Sequence, residues 1–445
     1  MQWDPERDTI YALSSGGLPS GVAVVRLSGP RVRFVVETLC GAVPEARRTS
    51  LRRLRDPVDG SVLDEALVIV FEGPASFTGE DAAEFHLHGG RAVVAAVLRV
   101  LETFDGVAAA EPGAFARRAF EAGRLDLTEV EGLGDLVQAE TEAQRRQALR
   151  QMGGELGALY DHWRATLVRC RAMIEAELDF ADEDDVPGTV SDSIWDDVIR
   201  IRDEITNHLE DNRRGERLRS GLQVVLLGPP NAGKSSLMNA LAQRDVAIVT
   251  EEAGTTRDLI EVHLDLAGFP VTLVDTAGLR GEGAGRVERE GIRRALERAK
   301  TADLVLWLQD AREPTRSDVP VALGQQGVWR IATKWDLYDG SARTDEIPSS
   351  VEVIGGLDGL LDELGRFASE TIGHAEAPVL TRARHREGLR RCLDGLGRSL
   401  EGEARGLELR AEDLRLATDG LSRIVGKTDV EDLLDVIFRD FCIGK

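Results

Sequence analysis

The sequence predicts a multidomain chain of α+β and α/β character. An α+β domain comes first, then a helical domain, with an α/β domain of mixed, mostly parallel sheet inserted into the helical one. Three observations carry this. The chain has 445 residues, about three domains at roughly 150 residues each. Apolar runs of strand length at 223–227, 271–274, 304–308 and 328–332 are separated by helical or loop stretches, the pattern of βαβ units. Stretches with three- and four-residue apolar spacing lie on both sides of that region, as they would if one domain were inserted into another.

The elements follow in order. Residues 1–118 mix β-like runs (22–27, 66–71, 83–87) with Gly/Pro turns and one helical run, 91–104. They form the first domain. Residues 119–216 turn helical, with Leu149, Met152, Leu156, Leu159, Trp163, Leu167, Cys170, Ile174 and Leu178 tracing one long amphipathic helix. An acidic break at 182–188 ends it. Residues 217–376 are the inserted domain. Residues 377–445 resume the helical domain through Leu389, Leu393, Leu396 and Leu400 and finish in a short tail.

Composition narrows the function. Charged residues make up 30% and apolar residues 42% of the chain, values of a folded soluble protein rather than a disordered one. The formal charge is −23. A chain this acidic does not coat nucleic acid by bulk charge, although a local basic patch is compatible with it. The four cysteines form no CxxC pair, which fits a reducing compartment. The first residues lack the apolar core of a signal peptide, and no run reaches the roughly 18 apolar residues of a membrane span. A cytoplasmic protein without membrane attachment is expected.

The chemistry concentrates in the inserted domain. Residues 228–235 read GPPNAGKS, a GxxxxGK[ST] loop between an apolar strand and a helix, where backbone N–H groups and a helix N-terminus cradle phosphates. Asn231, Ala232, Gly233, Lys234, Ser235 and Ser236 are the candidate nucleotide contacts. Lys234 reaches the β- and γ-phosphates and Ser235 ligates Mg²⁺. DTAG at 275–278 follows a strand and supplies Asp275 for the Mg²⁺ site and the Gly278 N–H for the γ-phosphate. Thr256, within GTTRD at 254–258, is placed to close over Mg²⁺. TKWD at 333–336 adds Lys334 and Asp336. An Asp there accepts from the N1–H and N2–H₂ edge of guanine, which adenine lacks. The ordered set reads as a Ras-like P-loop GTPase domain. The Gln that orients water in Ras-like enzymes is replaced by Leu279, so hydrolysis must recruit another group.

NAGKSSLMNAL at 231–241, AIVTEEAGTTRD at 247–258, DTAGLR at 275–280 and FCIGK at 441–445 together resemble the bacterial tRNA-modification GTPase family MnmE, also called TrmE. GVAVVRLSG at 21–29, GPASFTGED at 73–81, HGG at 88–90 and GRLDLTEVEGLGDL at 123–136 extend the resemblance to the whole chain. It implies a homodimer whose G domains pair across the nucleotides, with K⁺ in place of an arginine finger. Asn231 and the loop 250–255, with Thr250, Glu252 and Thr255, match the K⁺ and nucleotide positions. The water-orienting glutamate of the family matches Glu288, in VER at 287–289, rather than Glu282. The family's Asn-Lys-x-Asp is here Thr-Lys-Trp-Asp, and its Ser-Ala-Lys base loop is expected to be missing, with residues 351–357 shortened in its place.

The resemblance also implies a tetrahydrofolate-binding and dimerising N-terminal domain. Arg26, Glu84 and Arg124, with Lys445, match positions that hold a 5-formyl or 5,10-methylene derivative. PGAF at 112–115 has Ala114 where the family carries Glu. A metal reading of Glu84, His86 and His88, alternate positions on one strand, is the weaker one. Cys442 is a candidate nucleophile, with a structural role for the tail as its rival. The implied function is addition of a carboxymethylaminomethyl-type group to C5 of the tRNA wobble uridine. The implied partner is an FAD-binding flavoprotein of the MnmG (GidA) type that holds most of the tRNA. The alternatives are a regulatory or ribosome-assembly GTPase without modification chemistry, and a stand-alone folate enzyme.

Overall fold

The computed structural model describes residues 8–179, 194–211, 213–244, 246–248, 261–275, 296–315, 317–323, 327–341, 343–373, 378–401, 406–428, 431–439 and 441–444. By internal contacts the chain divides into two compact units, residues 1–134 with 422–445, and residues 135–421.

The first unit is built on a six-stranded sheet of order β3-β4-β5-β2-β1-β6. Its strands are β1 (Thr9–Leu13), β2 (Ser20–Ser28), β3 (Ser50–Arg55), β4 (Val62–Phe71), β5 (Ala82–Gly89) and β6 (Val107–Ala109). Period-two alternation sorts the two faces. Ala23, Val25 and Leu27 of β2 and Ala83, Phe85 and Leu87 of β5 enter the core beneath α1 (Val32–Cys40) and α2 (Arg91–Glu102). Arg26, Glu84, His86 and His88 alternate with them, on the opposite face. Helices α3 (Ala114–Glu121) and α4 (Leu127–Val137) pack Ala116, Leu127 and Val130 against Leu434 and Phe438 of the last helix, Glu431–Arg439. The C-terminal residues therefore fold with the first domain, through apolar contacts that connect stretches about 300 positions apart in sequence.

In the second unit the expected long helix is two helices, α5 (Glu142–Met152) and α6 (Glu155–Asp179). The interruption falls at Gly153–Gly154, where Gly154 takes φ +83°, a left-handed conformation that glycine adopts without a Cβ clash. The buried stripe of Leu156, Tyr160, Trp163, Leu167, Cys170 and Ile174 then runs along α6 as the spacing predicts. Helix α7 (Ile194–Leu209) packs on α6 and on helix Ala383–Ser399, whose His385 ring lies 6.2 Å from that of Tyr160, and α8 (Arg214–Ser220) leads directly into the second sheet. Arg386, almost buried, ties these pieces together. It donates to Asp211 Oδ1 at 2.7 Å, Glu216 Oε1 at 3.0 Å and the Leu209 carbonyl at 2.8 Å.

His208 lies in the same cluster, its Nε2 3.2 Å from the Tyr160 hydroxyl and its ring 5.6 Å from that of Trp163. Burial pushes its imidazole down from 6.5 to about 4, with Asp211 opposing and His385 and Arg386 assisting. The folded state thus refuses a proton that the unfolded chain accepts between those values. The contribution of His208 to stability is fully present above pH 6.5 and is lost as pH falls through about 4, on the order of 3 kcal/mol in all. Urea midpoints measured across that window should fall with pH in the native chain and fall less steeply in His208→Gln. Equal slopes would remove His208 as the cause.

The second sheet has the order β13-β12-β11-β7-β10-β9-β8. Its strands are β7 (Leu222–Leu227), β8 (Ala247–Ile248), β9 (Glu261–Leu266), β10 (Phe269–Asp275), β11 (Leu304–Asp310), β12 (Val328–Thr333) and β13 (Glu346–Pro348). β7 pairs in parallel with β10 and β11, and β11 with β12 and β12 with β13 likewise; β9 is antiparallel to both its neighbours. Val224 and Leu226 face one core, shared with α9 (Lys234–Ala242) and helix Asp358–Ile372. Val225 and Leu227 face the other, with Val305 and Trp307. Both faces being covered, the central strands read as unbroken apolar runs, which is why they were legible in the sequence.

Candidate nucleotide site and the polar face of the first unit

The strand order brings three loops to the carboxyl ends of β7, β10 and β12, where ligands of open α/β sheets bind. The P-loop leaves β7 at Gly228, whose φ is +148° and where an added Cβ would lie 2.2 Å from the Leu308 carbonyl oxygen. Glycine is required there by both conformation and space. Asn231 (φ +63°) and Gly233 (φ +90°) complete the turn into α9. The first turn of α9 therefore aims its N–H groups, which the helix itself does not use, at the concavity of the loop. Lys234 Nζ donates to the carbonyls of Gly228 at 2.8 Å and Pro229 at 2.9 Å, spanning the loop it serves.

Parallel pairing sets Asp275, the last residue of β10, opposite Leu226. Asp275 is buried, and its Oδ2 lies 3.4 Å from the Ser235 hydroxyl. A hydroxyl and a buried carboxylate converging at a helix N-terminus form an oxygen donor set that fits Mg²⁺.

The Thr-Lys-Trp-Asp turn follows β12. Thr333 Oγ1 lies 2.7 Å from the Ala232 carbonyl oxygen and 3.0 Å from that of Gln309, so the threonine that stands in for the family's asparagine still ties strand to P-loop. Lys334 takes a left-handed conformation (φ +54°), and Trp335–Leu337 form a 3-10 turn that presents Asp336 to solvent. The Ser-Ala-Lys sequence is absent as expected, but the turn is not left without support. The residues that support the turn come directly after β13: the Trp335 N–H donates to the Ser349 carbonyl at 3.2 Å, and the Ser350 hydroxyl donates to Asp336 Oδ1. Those serines follow Pro348 at a strand end with no Lys behind them, so the motif alone did not reveal them.

In the first unit, strand register sets Arg26 opposite Glu84. Arg26 donates from Nε at 3.1 Å and from an Nη at 3.0 Å to Glu84 Oε1, and His86 Nε2 lies 3.1 Å from Oε2. The Arg26 guanidinium also sits 6.0 Å from the Phe77 ring centroid and 5.8 Å from that of Phe115. Arg124 packs its stem beside Gly79, in the same loop as Phe77. A carboxylate offers about four acceptor positions. With three filled, Glu84 has room for one further donor.

The tail meets the same neighbourhood: Ile443 bridges to Pro112, in the connection that leads to Phe115, and Cys442 is exposed. His88 turns away to Asp64, its Nδ1 2.8 Å from Oδ1. No group of three or more metal-ligating side chains occurs among the described residues. Glu288, Thr250, Glu252, Thr255, Thr256, Gly278 and Lys445 lie outside the described residues.

A phosphate loop, a buried aspartate beside its serine and a Thr-Lys-Trp-Asp turn on a mostly parallel sheet define a P-loop GTPase. Residues 127–442 match the family model described as the MnmE helical domain, and residues 9–124 match that of the GTP-binding protein TrmE N-terminus. The chain is 55% identical over 444 residues to the tRNA modification GTPase MnmE of Mesorhizobium japonicum, covering 98% of this chain and 99% of the other. It is 54% identical over 448 residues to that of Parvibaculum lavamentivorans, covering 98% and 100%. The chain belongs to the MnmE family of tRNA modification GTPases. The solved G domain of the T. maritima FeoB iron transporter aligns with 34% of this chain and 98% of its own at 25% identity, but a TM-score of 0.24 is too low to argue from. No helix among the described residues is long and apolar enough to cross a membrane.

Proposed function

We propose that the chain is the GTP-hydrolysing component of an enzyme that adds a carboxymethylaminomethyl-type group to C5 of the wobble uridine of tRNA. It acts as a homodimer, with a flavoprotein of the MnmG (GidA) type and a tetrahydrofolate one-carbon unit. The observation that carries this beyond a plain switch GTPase is the first unit. It folds residues 1–134 and the tail together and presents Arg26, Glu84 and His86 on one polar face.

Within the second unit, the N-terminus of α9 and Lys234 bind the phosphates, Ser235 and Thr256 would hold Mg²⁺ with Asp275 beside them, and Asp336 reads guanine. A potassium ion held by Asn231 with Thr250, Glu252 and Thr255 would neutralise charge developing on the phosphates, as an arginine would. Glu288 orients the attacking water. Phosphoryl transfer does not itself alkylate a base, so hydrolysis serves to open and close the assembly. In the first unit, Arg26 fixes the Glu84 carboxylate by two hydrogen bonds to Oε1, where it pairs with N–H donors of a pterin ring, while Arg124 meets the carboxylates of the glutamyl tail.

Nucleoside analysis of tRNA from a deletion strain tests the assignment. The modified wobble uridine should disappear and return when the gene is restored. Unchanged wobble uridines would point instead to a regulatory GTPase.

A further inference from the structure

Two non-glycine residues of the nucleotide site hold left-handed backbone conformations, Asn231 in the P-loop (φ +63°) and Lys334 in the base-reading turn (φ +54°). Such conformations are sparsely populated by non-glycine residues and persist where surrounding contacts enforce them. One ammonium joins them: Lys334 Nζ donates to the Asn231 carbonyl at 3.1 Å. The same ammonium lies 2.9 Å from Asp310 Oδ2. Asp310 is the last residue of β11 and is paired in register with Thr333, so the sheet delivers its carboxylate beside Lys334. Its side chain is 12% exposed.

Arg312 holds the other side of Asp310, with its backbone N–H and Nε at 3.0 Å from Oδ1 and an Nη at 2.8 Å from Oδ2. Arg312 first and Lys334 after it keep this carboxyl well below the usual carboxylate range. Asp310 itself carries no motif signature and is separate from the guanine-reading carboxylate of Asp336.

We infer that Asp310 is a positioning residue for guanine recognition: it anchors the Lys334 ammonium on the Asn231 carbonyl and so locks the base-reading turn to the P-loop. Base and phosphate subsites are then held in one geometry before nucleotide arrives, which lowers the ordering cost of binding. Because Asn231 is also the proposed K⁺ ligand, the same lock fixes the residue that would hold the cation; only this last point rests on the potassium reading above.

The test uses the full chain with Asp310→Ala and Asp310→Asn. Affinity is read with fluorescent GDP, and KM and kcat by GTP hydrolysis in KCl. Asp310→Ala should weaken GDP and raise KM by about ten-fold, the scale of one charge-assisted contact, with kcat at saturation within about two-fold. Asp310→Asn, which keeps an oxygen acceptor for Lys334, should recover part of the loss. Unchanged GDP affinity in both variants overturns the inference, as does a fall in kcat with KM unmoved. If Asp310→Ala does not fold, Asp310→Asn carries the same decision, with a GDP affinity loss of a few-fold expected. GDP affinity is measured without turnover, so a failure of the potassium reading, seen as equal wild-type hydrolysis in NaCl and KCl, leaves this result distinguishable.

Discussion

Replacing Asp336 with Asn is expected to cost about 100-fold or more in GTP affinity and to raise affinity for xanthosine triphosphate. In the proposed role the carboxylate accepts from both N1–H and N2–H₂ of guanine. An amide presents one oxygen and one NH₂, so one acceptor is lost and a donor is set against a donor. Hydrogen bonds to charged groups contribute about 1.5–3 kcal/mol each, and losing most of two of them gives two or more decades in Kd. Xanthine carries an oxygen at C2 in place of the amine, so the new NH₂ finds an acceptor. The surroundings of the turn favour a clean outcome. Ser350 donates to Asp336 Oδ1 and can donate equally to an amide oxygen, so the replacement side chain is held where the original was. Competition between GTP and xanthosine triphosphate for the full chain decides the matter. An unaltered preference for GTP would mean that Asp336 does not read the base.

The parts of this structure that could be read beforehand are those where local sequence and tertiary role agree. Strands β7, β10, β11 and β12 are buried on both faces and announce themselves as apolar runs. The P-loop is legible because Gly228, Gly233, Lys234 and Ser235 answer to one ligand at fixed spacing. Other features depend on contacts between distant residues, which no window of sequence contains. The packing of Leu434 and Phe438 on α3 and α4 depends on apolar surface presented by helices far upstream. Ser349 and Ser350 matter through their meeting with the turn at 335–336, and Asp310 matters through its register with Thr333. The split between α5 and α6 was visible as Gly153–Gly154, but the apolar spacing continued across it and outweighed the two glycines. In the first unit, alternation put Glu84 and His86 on one face, and only the fold shows that Arg26 already occupies the carboxylate.

Glu288→Ala is expected to abolish most GTP hydrolysis while leaving GTP binding intact. The reasoning begins with what the P-loop machinery lacks. In the proposed reading Lys234, Ser235 and Asp275 address phosphate and Mg²⁺, and none of them is placed by its motif to orient water. The residue after the DxxG glycine, which does so in Ras-like enzymes, is Leu279, whose side chain has neither donor nor acceptor. Glu288 follows DTAGLR at the position that the family resemblance assigns to the water-orienting carboxylate. A positioned acid or base typically supplies about 100- to 10,000-fold, so the alanine variant should lose at least two decades of kcat in KCl. Glu288→Gln, which can orient water without taking its proton, should lie between. Affinity for a fluorescent GTP analogue should stay within about two-fold, because a water-orienting residue contributes to the transition state more than to the bound ground state. Glu282→Ala serves as the contrast and should hydrolyse normally. Wild-type turnover by Glu288→Ala in KCl would remove the assignment. Normal turnover there combined with loss in Glu282→Ala would move the role to the neighbouring carboxylate. Replacing KCl by NaCl in the wild-type chain separates the second ingredient: the rate should collapse if Asn231 and the loop 250–255 hold a cation sized for potassium, and a rate indifferent to the ion would leave charge neutralisation to some other group.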